Sequence, residues 1–117
     1  MTTIETVQHY FGSLRDKADW TAFLSDDMVF TSYTSPVKQI AGKAAFVAAT
    51  KRFYSMIVGV EVREVVVQNG KACVLTSYDL QPPGGPRFKS DVAEILGVHD
   101  GKIDSFSIYF DSAPFPK

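Results

Sequence analysis

The chain of 117 residues has room for one domain, burying roughly two-thirds of the surface that its unfolded form exposes. A net charge of −1 with no Lys/Arg run excludes an electrostatic footprint for nucleic acid or an anionic membrane, and the single Cys73 excludes an internal disulfide. No apolar run approaches the about 18 residues of a membrane span and the N-terminus has no signal-peptide core, so a soluble, cytoplasmic protein is expected.

Ile4, Val7, Phe11, Leu14 and Ala18 recur at helical spacing, with Thr2 or Thr3 as the N-cap and His9 on the opposite face. Trp20, Phe23 and Leu24 predict a short second helix, stopped by Ser25-Asp26-Asp27. Met28 to Tyr33 reads as a strand ended by Thr34-Ser35-Pro36. Gly42 precedes a long helix from Lys43 to about Ile57, with Ala45, Phe46, Ala49, Phe53, Met56 and Ile57 as its apolar stripe. Val58 to Val67 is a strand whose alternation slips at Arg63-Glu64, the mark of a bulge. Asn69-Gly70 then turns the chain into an antiparallel meander. Its strands are separated by the Pro82-to-Pro86 turn and by His99-Asp100-Gly101-Lys102, and it ends at Asp111 before a short tail, Ala113 to Lys117. Helix, short helix, strand, helix and four hairpin-linked strands make an α+β domain with helices on one face of a curved sheet. The 9 Phe, 5 Tyr and 1 Trp either fill a thick core or line a hollow one.

Ser25-Asp26-Asp27-Met28-Val29-Phe30, Gly42 opening the long helix, Val98-His99-Asp100-Gly101-Lys102-Ile103 and Tyr109-Phe110-Asp111 stand in an order and spacing that span the whole chain. In these residues the chain resembles the SnoaL-like and ketosteroid-isomerase-like proteins of the nuclear transport factor 2-like superfamily. The resemblance implies a single domain over residues 1–117. It also implies a cone-shaped curved antiparallel sheet (cystatin-like) with helices on its concave face, enclosing a pocket for a small, mostly apolar organic molecule, and a homodimer. Its alignment turns Phe106, Ile108 and Phe110 inward on the last strand, Ser90, Val92, Glu94 and Leu96 on the one before, and Cys73, Leu75, Ser77 and Asp79 on the strand before that. Tyr10, Phe11, Phe30, Ser32, Tyr33, Phe53, Leu75, Ser77, Val92, Phe106, Ile108 and Phe110 are the pocket residues it implies. Either Ser32 or Tyr33 faces the pocket.

The superfamily holds several chemistries, and fold does not choose among them. Epoxide hydrolysis needs an Arg and two Asp where the alignment finds Leu75, Ser77 and Ile108, so that activity is rejected. Ketosteroid isomerization needs a carboxylate where Ser32 or Tyr33 stands. Its oxyanion donors map to Tyr10 or Phe11 and to Glu94. A SnoaL-like cyclase asks for one acidic residue in the pocket and a donor for an enolate oxygen, which Glu94 or Asp79 would supply.

Glu94 lies between Val92 and Leu96 on an apolar face, so burial should raise its pKa. It reads equally as a catalytic acid or base and as a hydrogen-bonded core carboxyl. Asp79, near its strand's end, reads as a base or as a cap for the Pro-rich turn. The outer sheet face, with Ala93, Ile95, Ser107 and Tyr109, suits a dimer contact. No metal cluster, phosphate loop or Ser-His-Asp set is present, so no metal and no cofactor is expected. Two functions follow as expectations. One is a small-molecule-binding protein that acts as an isomerase or cyclase by proton transfer. The other is a non-catalytic ligand-binding or homodimerisation module of the same fold.

Overall fold

The computed structural model describes residues 1–36 and 38–115. Helix α1 covers Thr3–Arg15 and is opened by Thr2, whose hydroxyl accepts the Glu5 amide while the Glu5 carboxylate accepts the Thr2 amide. It buries Thr6, Val7, Tyr10, Phe11 and Leu14. Ala18 stays exposed, because the chain leaves the helix and turns left-handed at Lys17 (φ 58°). A single 3₁₀ turn, Trp20–Phe23, leads into strand β1, Leu24–Ser32.

β1 starts before Met28, where the sequence pattern placed it. Leu24 lies opposite Ile103 and Val29 opposite Ser105, so Ser25-Asp26-Asp27 is accommodated in a bulge that carries polar side chains without ending the strand. A short edge strand, β2 (Gln39–Ala41), pairs antiparallel with β1 and was not foreseen. Helix α2, Lys43–Ser55, follows Gly42, whose φ of 95° suits glycine alone. It buries Phe46; Ala45 is exposed, and Ile57 already belongs to the next strand.

Strands β3 (Ile57–Gln68), β4 (Lys71–Leu80), β5 (Phe88–His99) and β6 (Lys102–Phe110) form the meander. The register of β3 shifts between Val62 and Glu64, where the alternation predicted a bulge. Asp100 and Gly101, at φ 51° and 75°, make the tight β5–β6 turn. The sheet runs β2-β1-β6-β5-β4-β3, with β1 parallel to β6 and every other pair antiparallel. Helix α1 packs on β3, β4 and β5, and α2 on β1 and β2. This is the expected α+β architecture, with the sheet curved but not closed. No helix among the described residues is long and apolar enough to cross a membrane.

Rows of side chains cross the inner face. Ala72, Leu96, Phe106 and Phe30 form one row, Val74, Glu94, Ile108 and Ser32 the next, then Thr76, Val92 and Phe110, then Tyr78 and Ser90. On β4 this reverses the expected facing. Ala72, Val74, Thr76, Tyr78 and Leu80 are buried, Leu75 is 40% exposed, and Cys73, Ser77 and Asp79 share the parity of Leu75. A strand alternates with period two, so an alignment displaced by one residue sends every side chain to the other face. After β6, Phe115 packs edge-on against Phe88 and Phe110.

Candidate ligand cavity and the buried acid behind it

A cavity of about 350 Å³ lies between α2 and the inner face of the sheet. From β1 come Phe30 and Ser32, from β5 Ser90 and Val92, and from β6 Phe106, Ile108 and Phe110. Helix α2 contributes Phe46, Thr50, Phe53 and Tyr54, β4 contributes Tyr78, and the tail contributes Phe115. Residues on both sides of Val37 add Ser35 and Ile40. Among the described residues, no charged side chain lines the cavity. Period two explains the sheet wall, since Phe106, Ile108 and Phe110 alternate on β6 and Ser90 and Val92 on β5. The helical wall follows from spacing of three or four, through Phe46, Thr50, Phe53 and Tyr54.

The floor is polar and deeply buried. Tyr78 Oη donates to Glu94 Oε2 at 2.8 Å, and Thr76 Oγ1 donates to the same oxygen at 2.7 Å. Oε1 accepts neither bond. Glu94 is 2% exposed. Burial pushes its carboxyl up from 4.5 to about 7, although the Thr76 and Tyr78 hydrogen bonds pull the other way. Alongside, Tyr10 and Tyr54 share a hydrogen bond of 2.7 Å. Burial holds the phenols of Tyr10, Tyr54 and Tyr78 above their ordinary value, and the nearby Glu94 adds to this in each case. Near neutral pH the three phenols are therefore protonated donors, and Glu94 is the group that changes charge.

Of the residues expected in the pocket, Phe30, Ser32, Phe53, Val92, Phe106, Ile108 and Phe110 line the cavity. Tyr10 and Phe11 are buried but are absent from its wall. Ser32 is on the inner face, whereas Tyr33 is exposed and stacks on Tyr109 with ring centroids 4.6 Å apart. Leu75 and Ser77 belong to the opposite face of β4 and do not reach the cavity. Nor does Asp79, because Arg87 binds both its oxygens, at 2.8 and 2.6 Å, across the turn. That donation holds the Asp79 carboxyl below its ordinary value. The turn-capping reading of Asp79 fits this geometry and the base reading does not.

Sequence reasoning missed Tyr78, Tyr54, Thr76 and Phe115. A signal for Tyr78 and Thr76 was present, since Ala72, Val74, Tyr78 and Leu80 make the more apolar of the two β4 faces. Tyr78→Phe tests the arrangement: the buried carboxylate loses one of two donors, each worth about 1.5–3 kcal/mol to a charged acceptor. The Glu94 midpoint is expected to rise by at least about one pH unit above its wild-type position, as read from the pH dependence of unfolding free energy. An unchanged midpoint would remove Tyr78 from the network.

Comparison with known proteins places this geometry in context. The SnoaL-like domain model matches residues 7–106. No curated protein sequence matches the chain. Among solved structures, a protein from Kribbella flavida DSM 17836 is 26% identical, covering 95% of this chain and 88% of its own, with a TM-score of 0.79. A candidate SnoaL-like polyketide cyclase from Jannaschia sp. CCS1 is 15% identical over 98% of this chain and 93% of its own, with a TM-score of 0.79. An LEH-like epoxide hydrolase from M. tuberculosis is 22% identical over 96% and 84%, with a TM-score of 0.78. These last two share the fold.

Proposed function

Because the chain belongs to the SnoaL-like domain family, we propose that it binds a compact, mostly apolar organic molecule and catalyses a cofactor-independent proton transfer of isomerase or cyclase type. The observation that carries this reading is the pairing of an uncharged aromatic cavity with one ionisable group, Glu94, placed behind Tyr78. The cavity volume falls at the lower end of the range of about 300–1,000 Å³ typical of ligand sites. In the Tyr10–Tyr54 pair Tyr10 can be the donor, which leaves the Tyr54 proton for a guest's carbonyl oxygen while the guest's hydrocarbon meets phenylalanine.

The proposed step is a relay. Ionised Glu94 takes the Tyr78 proton as the Tyr78 oxygen takes a proton from the carbon next to the carbonyl. The C–H electron pair moves into an enolate, whose oxygen accepts a hydrogen bond from Tyr54 or a neighbouring hydroxyl. Return of the proton to a different carbon is isomerization; attack of the enolate carbon on a second carbonyl is ring closure. A group that is half-ionised near pH 7 suits both directions.

Deuterium incorporation next to the carbonyl of a bound 2-alkanone, followed by NMR in D₂O, tests the step. Wild type is expected to exchange at least 100-fold faster than Glu94→Gln, in line with the contribution of a positioned acid or base. Binding without exchange would leave the alternative, a non-catalytic ligand-binding module, which the lack of a carboxylate among the described lining residues favours. The same reading includes a homodimer through the outer sheet face, where Val66, Leu75, Ile95 and Tyr109 are each at least 40% exposed. Sedimentation equilibrium is expected to give twice the chain mass for wild type and the chain mass for Ile95→Glu; a wild-type monomer would remove the dimer.

A further inference from the structure

We propose that Phe115 is a specificity-determining residue that closes one side of the cavity and sets the greatest length of ligand it accepts. The inference rests on the ligand-cavity reading and adds to it the dimension that discriminates among guests. Most of the wall is carried by a strand or by α2, but Phe115 is carried by the chain after β6. Its ring meets Phe88 at 5.1 Å and 70° and Phe110 at 5.3 Å and 62°, both edge-to-face. Phe110 and Phe115 line the cavity, and Phe88 stands behind them on β5.

The segment that holds Phe115 is fastened at its root. The Asp111 amide donates to the Asp91 carbonyl at 3.0 Å, and Ser90 Oγ donates to the Asp111 carbonyl at 3.2 Å. Asp111 Oδ1 accepts the Ala113 amide at 3.0 Å, and the Phe115 amide closes a turn on the Ser112 carbonyl at 3.1 Å. These bonds fix where the segment starts and how it bends, and the Phe115 ring takes its place in the cavity wall. On this proposal the Tyr54 hydroxyl holds the oxygen of a guest and Phe115 meets its hydrocarbon chain. Ligand length is therefore measured between those two points.

The test is isothermal titration calorimetry of a homologous series from 2-pentanone to 2-dodecanone against wild type, Phe115→Ala and Phe115→Trp. Affinity for wild type is expected to rise about four-fold per methylene and then to stop rising where the chain reaches Phe115. Phe115→Ala should move that break to ketones at least two methylenes longer, and Phe115→Trp should move it to shorter ones. The shortest ketones, which do not touch residue 115, should bind all three proteins alike and thereby report that the fold is intact. The same break point in all three proteins would overturn the role of Phe115 while leaving the cavity as a ligand site. Binding of no ketone by any of the three would overturn the cavity reading, and this inference with it.

Discussion

Glu94→Gln is expected to be more stable than wild type by about 3 kcal/mol at pH 8, and to lose the wild-type dependence on pH between about 4.5 and 7. The carboxyl is pushed up from 4.5 to about 7 because its charged form is desolvated, so the folded protein holds the proton more tightly than the unfolded chain. Stability from such a group is fully present below 4.5 and is lost as pH rises through 7. At about 1.4 kcal/mol per pH unit, crossing that window removes about 3 kcal/mol, a large part of the 5–15 kcal/mol of an ordinary domain. A glutamine carbonyl accepts the same bonds from Thr76 and Tyr78 and never ionises. The variant should therefore match wild type to within about 1 kcal/mol at pH 5 and exceed it at pH 8, measured by urea unfolding at both values. A variant less stable than wild type at pH 8 would mean that the carboxylate is welcome in its site.

Phe46→Ala is expected to cost about 3 kcal/mol. Phe46 is fully buried, and its ring lies 4.9 Å from Phe30, 5.9 Å from Phe106, 6.2 Å from Tyr54 and 6.4 Å from Trp20. It is the point at which α2, β1, β6 and the 3₁₀ turn meet. Phe→Ala in a closed core costs about 3–5 kcal/mol, and the lower end applies because one side of the ring already borders the cavity. The midpoint of thermal unfolding should fall by on the order of 10 °C or more. A loss under about 1 kcal/mol would show that the aromatic wall is loosely packed and that the cavity is not held open by it.

Most of the architecture was legible before any coordinates. Helix α1 announced itself through Val7, Phe11 and Leu14, and the β3 bulge through one broken alternation at Arg63-Glu64. The wall from β5 and β6 was readable for the same reason: Phe106, Ile108 and Phe110 leave no doubt about which side is apolar. On β4 the two faces differ less, with Cys73 and Leu75 on one and Val74 and Leu80 on the other. Alignment through a Pro/Gly turn of uncertain length then overrode the pattern by one residue. That slip hid Tyr78 and Thr76, the two donors that define how Glu94 is held. The start of β1 was hidden because a bulge tolerates Ser25-Asp26-Asp27, and Phe115 because tertiary packing of a tail leaves no periodic trace.

The direct test is to follow the Glu94 side-chain carboxyl ¹³C signal against pH, with the cavity empty and with it filled by a saturating 2-alkanone. The titration midpoint should lie near 7 in the free protein. It should move upward on filling, because the guest displaces solvent and so disfavours the charged form of the acid further. An ordinary midpoint near 4.5, unmoved by any ketone, would contradict the claim that a proton-holding acid stands behind a ligand cavity.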